Sequence, residues 1–197
     1  LLSDFANNDL SAFFFDIRKD CLYCDAPESM KRRSYRTVLD ILFHAMVRYA
    51  APVLVFTAEE VWASRYPDAD SVHLLEWPEV DAGWFENNFV ERWFRLRELR
   101  RQVTEAIEPL RREKIVGSSL EAEVQISDLG AILGDYQEDA KFLAELCITS
   151  STKPVAGVNE PAVTKTTYHK CGRCWRHLPE VEEDGALCGR CDEVLNG

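Results

Sequence analysis

Apolar residues recur at helical spacing through the first half of the chain. Within residues 9–25 they stand three or four positions apart, which predicts an amphipathic helix. They are Leu10, Phe13, Phe14, Ile17, Cys21 and Cys24. A second helix is predicted from the segment DAPE, residues 25–28, to about Tyr49, because its aspartate, proline and glutamate form a typical helix start. Pro52 is expected to end or kink this helix, since proline cannot donate a hydrogen bond to the helix backbone.

Two further helices are predicted after this proline. The segment TAEEVW starts a short helix, because Thr57 and Glu60 have the spacing of a capping box. Residues 66–86 are predicted to be a loop. Residues 87–114 form a long helix with its own apolar stripe, in which Pro109 introduces a kink or an early end.

The pattern changes after this long helix. Residues 120–126 alternate apolar and polar positions, which predicts a strand. Residues 136–146 have helical spacing, residues 146–150 suggest a second strand, and the proline- and glycine-containing residues 151–165 suggest a linker. The predicted fold class is therefore mainly α: a helical bundle, a small α/β piece and a cysteine-rich knuckle module.

Four cysteines form two Cys-x-x-Cys pairs, Cys171 with Cys174 and Cys188 with Cys191. Two thiolates from each of two tight turns complete a tetrahedral site, and four sulfur ligands suit zinc. Because all four positions are filled by protein, the ion is expected to be structural. A rubredoxin-like iron site and a pair of disulfides are the alternatives. The chain shows no secretory signal, which favours a reduced, cytoplasmic protein and argues against disulfides.

The remaining cysteines are assigned packing roles, and two glycines are assigned to the turns of the knuckles. Cys21 and Cys24 form a third pair, but they fall on the apolar stripe of a helix, and Cys147 has apolar neighbours. All three are therefore predicted to be buried thiols. Gly172 and Gly189 stand second in the two knuckles, where a tight turn needs a positive φ or a close backbone approach.

Charge is distributed unevenly along an acidic chain. The net charge is −11, yet residues 31–36 and residues 165–177 each carry four bases and no acid. Screening limits the influence of distant acids to about 8–10 Å, so local basic patches can still hold phosphate. Trp175 either stacks on a base from the surface or packs beneath the metal site. The predicted nucleic-acid contacts are Arg32, Arg33, Arg36, Lys170, Arg173, Trp175 and Arg176.

The sequence carries no motif of nucleotide binding or acyl transfer: G-x-G-x-x-G, G-x-x-x-x-G-K-[ST] and G-x-S-x-G are all missing. No catalytic residue is predicted. No run of about 18 apolar residues occurs, so no membrane span is expected. The chain begins without Met, which we interpret as the sign of a C-terminal piece of a longer polypeptide, with a binding role.

Four segments carry a resemblance to a known family. In chain order they are NDLSAFFFDIRKDCLYCDAP, RRSYRTVLDILFHAMVRYAAPVLVFTAEEVW, REKIVGSSLEAEV and KCGRCWRHLPEV with its later LCGRC. Together they resemble the C-terminal region of the bacterial isoleucyl-tRNA synthetases. The resemblance implies a class I anticodon-binding helical bundle over residues 1–84, a long helix with a small α/β junction domain over residues 85–160, and a four-cysteine zinc finger over residues 161–197.

The resemblance also implies a function. The chain would hold the anticodon stem-loop of isoleucine tRNA, while catalytic and editing domains of the same polypeptide use ATP and Mg²⁺ for aminoacylation. The four paired cysteines match the zinc ligands of the family one by one. A cytoplasmic, monomeric protein with no membrane partner is expected. The alternative is a structural or DNA-binding zinc module of a larger protein, such as the zinc finger of certain DNA glycosylases.

Overall fold

The computed structural model describes residues 1–85, 87–127 and 140–197. The chain forms two compact units, one of residues 27–86 and one that combines residues 1–26 with residues 87–197. Among the described residues, every helix is too short or too polar to cross a membrane. This division into two units differs from the three domains expected from the family resemblance. The three-domain division stays a prediction.

The larger unit opens with a helix that is longer than predicted. Three helical segments follow one another without a break, Leu2–Asp4, Phe5–Phe15 in π geometry and Asp16–Cys24, and together we name them α1. Asp25 has extended backbone angles and ends the helix. The predicted helix over residues 9–25 is thus confirmed, and its apolar stripe buries Leu10, Ile17, Cys21 and Cys24.

The unit of residues 27–86, the helical unit, contains helices α2 (Met30–Ala50) and α3 (Val55–Arg65) and the short 3₁₀ turns Val72–Leu74 and Ala82–Trp84. The predicted end of α2 before Pro52 is confirmed. Both predicted starts are wrong in detail. Ser29 caps α2 by accepting the N–H of Arg32 at 3.4 Å, and α3 begins two residues before Thr57, with no side-chain cap.

Aromatic and apolar side chains form the core of the helical unit. Trp62 is buried, lies 6.4 Å from the ring of Phe43 in a stacked arrangement, and donates its indole N–H to the carbonyl oxygen of Asp70 at 2.9 Å. His44 is hydrogen-bonded to the Tyr66 hydroxyl at 3.0 Å. The buried set around them consists of Val47, Ala51, Ala58, Trp62 and Val72. Burial of apolar and aromatic surface therefore holds this unit together.

Helix α4 (Asn87–Arg112) confirms the predicted long helix and contains Pro109 in its last turn. Lys114 follows with a φ of 59°, a left-handed conformation that commonly ends helices. The α4 stripe of Leu96, Leu99, Val103 and Ile107 is buried. It forms the centre of a core shared with α1 and with the sheet described next.

A small three-stranded sheet lies against this core. Strand β1 (Ala122–Ile126) pairs in parallel with β2 (Ser151–Pro154) and antiparallel with β3 (Ala162–Lys165), and helix α5 (Ala140–Cys147) lies between β1 and β2 in the chain. In register, Val124 faces Thr152 on one side and Val163 on the other. The predicted strand at residues 120–126 is confirmed, because its alternation buries Ala122, Val124 and Ile126.

Two predictions for this region are wrong. Residues 146–150 are no strand, because Leu146 and Cys147 complete α5. Residues 151–165 are no linker, because they contain β2 and β3. These strands have four residues each, too few to show an alternating pattern. The predicted helix at residues 136–146 is confirmed from Ala140 onward, and its first four residues lie outside the described part of the chain.

Candidate metal centre and nucleic-acid surface

Four thiols converge in the cysteine module, which we define as residues 169–197. The sulfur atoms of Cys171, Cys174, Cys188 and Cys191 all lie within 4.8 Å of one another, and all four residues are buried. The Sγ atoms of Cys174 and Cys188 are 3.8 Å apart. A tetrahedral zinc ion with Zn–S bonds of about 2.3 Å needs sulfur–sulfur edges of about 3.8 Å. The donor set therefore fits one zinc ion.

The two knuckles position their thiols in different ways. The first is a turn, closed by the N–H of Trp175 donating to the Cys171 carbonyl at 3.0 Å and braced by an isolated bridge between Lys170 and His177. The second opens helix α6 (Gly189–Asn196): Cys188 is its N-cap residue and Cys191 lies in its first turn.

The two knuckle glycines have different roles. A Cβ atom on Gly172 would lie 2.4 Å from the carbonyl oxygen of Gly185, so only glycine fits there. The expectation of a close backbone approach is confirmed at this position. It is wrong for Gly189, which begins α6 without a positive φ and where an added Cβ atom would meet no other atom within 4 Å. The positive φ belongs instead to Gly185, at 97°, in the turn between the knuckles.

Hydrogen bonds and burial shift the pKa values of the knuckle thiols in opposite directions. Burial alone raises the pKa of Cys171, but backbone N–H groups of Cys174, Cys188 and Arg173 outweigh it and lower that pKa to about 6. One of these donors, the Cys188 N–H, lies 3.3 Å from the Cys171 sulfur. Burial raises the pKa of Cys174 and of Cys188. A bound cation would favour the thiolate form of all four.

The disulfide alternative does not match the structure. All seven cysteines of the chain are free thiols. Cys21, Cys24 and Cys147 are buried, as predicted. Burial raises the pKa of Cys147 to about 11 and, with help from nearby Asp20, that of Cys24 to about 11. These three therefore behave as neutral packing groups.

Three basic side chains of the cysteine module are occupied by protein groups. Arg173 donates to the carbonyl oxygens of Cys24 and Tyr23. Arg176 is only 9% exposed and lies 3.9 Å from Glu145. Arg190 donates to Asp20 and Asp25. The first two were predicted to contact nucleic acid, and burial of Arg176 leaves little of its guanidinium group accessible.

Lys170 and Trp175, by contrast, lie at the surface. Trp175 is 62% exposed, which decides between the two placements that the sequence left open. The Lys170 ammonium lies 5.2 Å from the centroid of the indole ring, within the range of a cation–π interaction. Trp175 has a φ of 63°, which is uncommon for a bulky residue. The knuckle thus presents an aromatic face beside a positive charge.

The other predicted contacts lie on the first turns of α2, in the helical unit. Arg33 and Arg36 are exposed, and Arg32 is half-buried. They belong to one compact unit of the chain, and the basic residues of the cysteine module belong to the other. Two histidines flank the first knuckle in sequence. His169 is exposed, whereas His177 is half-buried and is hydrogen-bonded through Nδ1 to the Tyr168 carbonyl oxygen at 2.8 Å.

Sequence reasoning missed a cavity of about 510 Å³ within the larger unit. It is lined by α1, α5 and the first knuckle, including Asp20, Tyr23, Glu145 and Trp175. It also missed the paired role of Asp20 and Arg190. The residues of α1 are more than a hundred positions away from those of α5 and of the knuckles, so no local spacing could have indicated these contacts.

Comparison with known families identifies the first two thirds of the chain. Residues 1–126 match the family model described as the anticodon-binding domain of tRNA ligase. The chain belongs to this anticodon-binding family. Residues 169–194 match a second model, the zinc finger found in FPG and IleRS. This match and the four-cysteine cluster together support a zinc ion.

The chain is also similar along nearly its whole length to curated proteins named isoleucine–tRNA ligase. The chain is 61% identical to the isoleucine–tRNA ligase of Zymomonas mobilis over 99% of its length, 45% identical to that of Gluconobacter oxydans over 99%, and 45% identical to that of Agrobacterium fabrum over 93%. It spans about one fifth of the length of these relatives, 20–21%. The resemblance of this anticodon-binding chain to the isoleucine enzymes is confirmed.

Proposed function

We propose that the chain is the tRNA-binding region of an isoleucine–tRNA ligase and holds the anticodon stem-loop of isoleucine tRNA. The observation that carries this proposal is the anticodon-binding match over residues 1–126, in a chain whose relatives are isoleucine–tRNA ligases. We further propose that ATP- and Mg²⁺-dependent aminoacylation takes place in domains of the same polypeptide outside this chain. The whole protein is proposed to be a cytoplasmic monomer.

We propose that Cys171, Cys174, Cys188 and Cys191 bind one structural zinc ion. Their spacing within 4.8 Å and their burial support this assignment. A module of about 30 residues buries too little apolar surface to fold alone, and in such modules metal binding supplies the folding free energy. The role of the ion in RNA binding is then to hold the first knuckle, with Lys170 and Trp175, in a fixed shape.

Two surfaces are proposed to contact RNA. On the cysteine module, Trp175 offers a stacking face for an unpaired base and Lys170 a charge for a phosphate. On the helical unit, Arg33 and Arg36 offer phosphate contacts, with Arg32 beside them. For Arg173 and Arg176 we propose a supporting role, because their guanidinium groups are engaged with α1 and with Glu145.

A salt-titrated binding assay tests the function. This chain and the full-length ligase are each titrated with isoleucine tRNA, valine tRNA and duplex DNA. We expect the ligase to prefer isoleucine tRNA, and this chain to keep a weaker preference. A chain that binds duplex DNA better than tRNA would favour the DNA-binding alternative. A chain that binds none of the three, beside a selective ligase, would overturn the anticodon role.

Two variants locate the contact. Trp175→Ala should weaken tRNA binding by about 1–3 kcal/mol, the usual contribution of one stacked base. Lys170→Ala should lower the salt slope by about one. Trp84→Ala and Lys153→Ala are matched controls, because both residues are exposed. Equal losses in test and control variants would remove Trp175 and Lys170 from the RNA surface.

A further inference from the structure

The two knuckles share one tetrapeptide, Cys-Gly-Arg-Cys, at residues 171–174 and 188–191. Each therefore places an arginine between its two cysteines, Arg173 in the first and Arg190 in the second. Both arginines reach the same target, the C-terminal end of α1. The backbone conformations of the knuckles differ, one a turn and the other a helix start, so the common target is not a result of local symmetry.

Arg173 contacts the backbone at the end of α1. Its Nη1 donates to the Cys24 carbonyl at 2.7 Å, and its Nη2 donates to the Tyr23 carbonyl at 3.2 Å. The last carbonyl groups of a helix have no partner within the helix, and cations are stabilising there. The same Nη1 also lies 3.5 Å from the sulfur of Cys191. One guanidinium group thus joins a knuckle thiol to the helix end.

Arg190 contacts carboxylates at the same end. Its Nη1 and Nη2 donate to the two oxygens of Asp20 at 2.7 and 3.0 Å, and Nη1 also donates to Asp25 at 2.9 Å. A bidentate pair of this kind fixes direction as well as distance. The Arg190 side chain is 28% exposed, which limits screening of its charge by solvent.

Packing at the contact agrees with the polar bonds. Cys24, the last residue of α1, is buried in the same apolar cluster as the four knuckle cysteines, together with Val181. The end of α1 is therefore part of the interior of the cysteine module. Loss of order in either part would expose the other.

We propose that Arg173 and Arg190 form a latch that couples metal binding by the four cysteines to the last turn of α1. The metal fixes the residues on both sides of each arginine, and so it holds each guanidinium group against the helix. Coupling of this kind is reciprocal: metal binding orders the end of α1, and damage to that end weakens metal binding. The latch rests on the proposed zinc ligands and is independent of any RNA contact.

The first test changes α1 and measures the metal. Asp20→Asn removes the charge opposite Arg190 without altering size, at a position 151 residues before the first zinc ligand. We expect zinc release to a chromogenic chelator to become about tenfold faster, within the usual range of coupled sites. Asp9→Asn is the matched control, since Asp9 also lies on α1 and pairs with an arginine, Arg97. It should release zinc at the wild-type rate.

The second test changes the metal and measures α1. Hydrogen exchange of the backbone amides of residues 21–24 is compared with and without zinc. In the wild type, chelation should reduce their protection at least tenfold, whereas in Arg173→Ala with Arg190→Ala protection should be low in both states. Arg190→Lys in place of Arg190→Ala, combined with Arg173→Ala, should restore part of the zinc dependence. Lysine keeps the charge but not the bidentate geometry. If the apolar packing of Cys24 coupled the two parts without the arginines, the double variant would keep the zinc-dependent protection of the wild type, and the latch would be overturned.

The outcomes separate the two proposals. A chain that binds one zinc ion, with equal release rates for wild type and Asp20→Asn and with zinc-independent exchange at residues 21–24, overturns the latch alone. A wild-type chain that binds no zinc overturns the metal centre and the latch together. Neither result depends on tRNA, so the proposed anticodon role is judged separately.

Discussion

The cysteine module and the helical unit are both small, yet they are held together by different means. In the module, Val181 is the buried aliphatic residue, with Leu178, Ala186 and Leu187 half-buried around the four thiols. In the helical unit, five buried residues pack with the rings of Phe43 and Tyr66. The module therefore depends on a ligand set, and the helical unit on apolar packing. A ligand set is all-or-none, whereas a packed core loses stability in steps.

The largest effect should follow from the loss of one thiol. Cys174→Ser is expected to release zinc and unfold the cysteine module, because metal binding contributes about 10 kcal/mol or more to domains of this kind. The helical unit should keep its structure. Zinc content and residue-resolved NMR spectra measure both effects. Collapse of the signals from residues 27–86 in the same variant would show that the contrast between the two regions is false.

A smaller effect is expected from the core of the helical unit. Trp62→Ala removes a side chain that is 6% exposed, together with its hydrogen bond to Asp70. It should lower the free energy of unfolding of this unit by about 3–5 kcal/mol and leave zinc content unchanged. Trp84→Ala, at a residue that is 57% exposed, is the control and should change stability by less than about 0.5 kcal/mol. Zinc loss in Trp62→Ala would contradict the prediction.

The two knuckle glycines sharpen the comparison within the module itself. Gly172→Ala forces a Cβ atom to 2.4 Å from the Gly185 carbonyl oxygen, so the turn must open. We expect a cost of about 1–3 kcal/mol, measured as faster zinc release. Gly189→Ala meets no atom within 4 Å and should be neutral or stabilising by up to about 1 kcal/mol. Equal rates of zinc release from the two variants would mean that the first knuckle accommodates an added Cβ atom as easily as the second.

The smallest effect concerns a buried thiol outside the metal centre. Burial raises the pKa of Cys147 from 9.0 to about 11, so folding favours its neutral form. The associated stability is present below pH 9 and is lost as the pH rises towards 11. Denaturant unfolding from pH 8 to 11 should therefore show a shallower alkaline decline for Cys147→Ala than for the wild type. Identical slopes would show that Cys147 ionises as easily in the folded chain as in the unfolded one.

Some of this architecture could be predicted from the sequence for clear physical reasons. Helices α1, α2 and α4 were predicted because long apolar stripes repeat many times. The four-thiol cluster was predicted because ligand spacing in a tight turn is local. Strands β2 and β3 were not predicted, because four residues are too few to show an alternation of apolar and polar positions. Their pairing partner, β1, is also distant in sequence.

Side-chain placement was harder to predict than backbone. Arg173 and Arg176 belong to one basic stretch and were both predicted to contact nucleic acid, which stays a prediction. Their protein contacts with α1 and α5 could not be predicted. Trp175 could not be placed, because the sequence does not reveal the left-handed backbone at this residue or the 62% exposure of its side chain. Such features arise from tertiary contacts, which spacing along the chain does not encode.

The backbone of Trp175 has a consequence for selection. A bulky residue held at a φ of 63° costs about 1–3 kcal/mol that glycine would avoid. Selection of this chain for heat resistance alone should therefore enrich glycine at position 175. Selection for growth of cells that depend on the full-length ligase should keep tryptophan. Divergence of the two populations at this single codon would reveal a trade-off between durability and recognition.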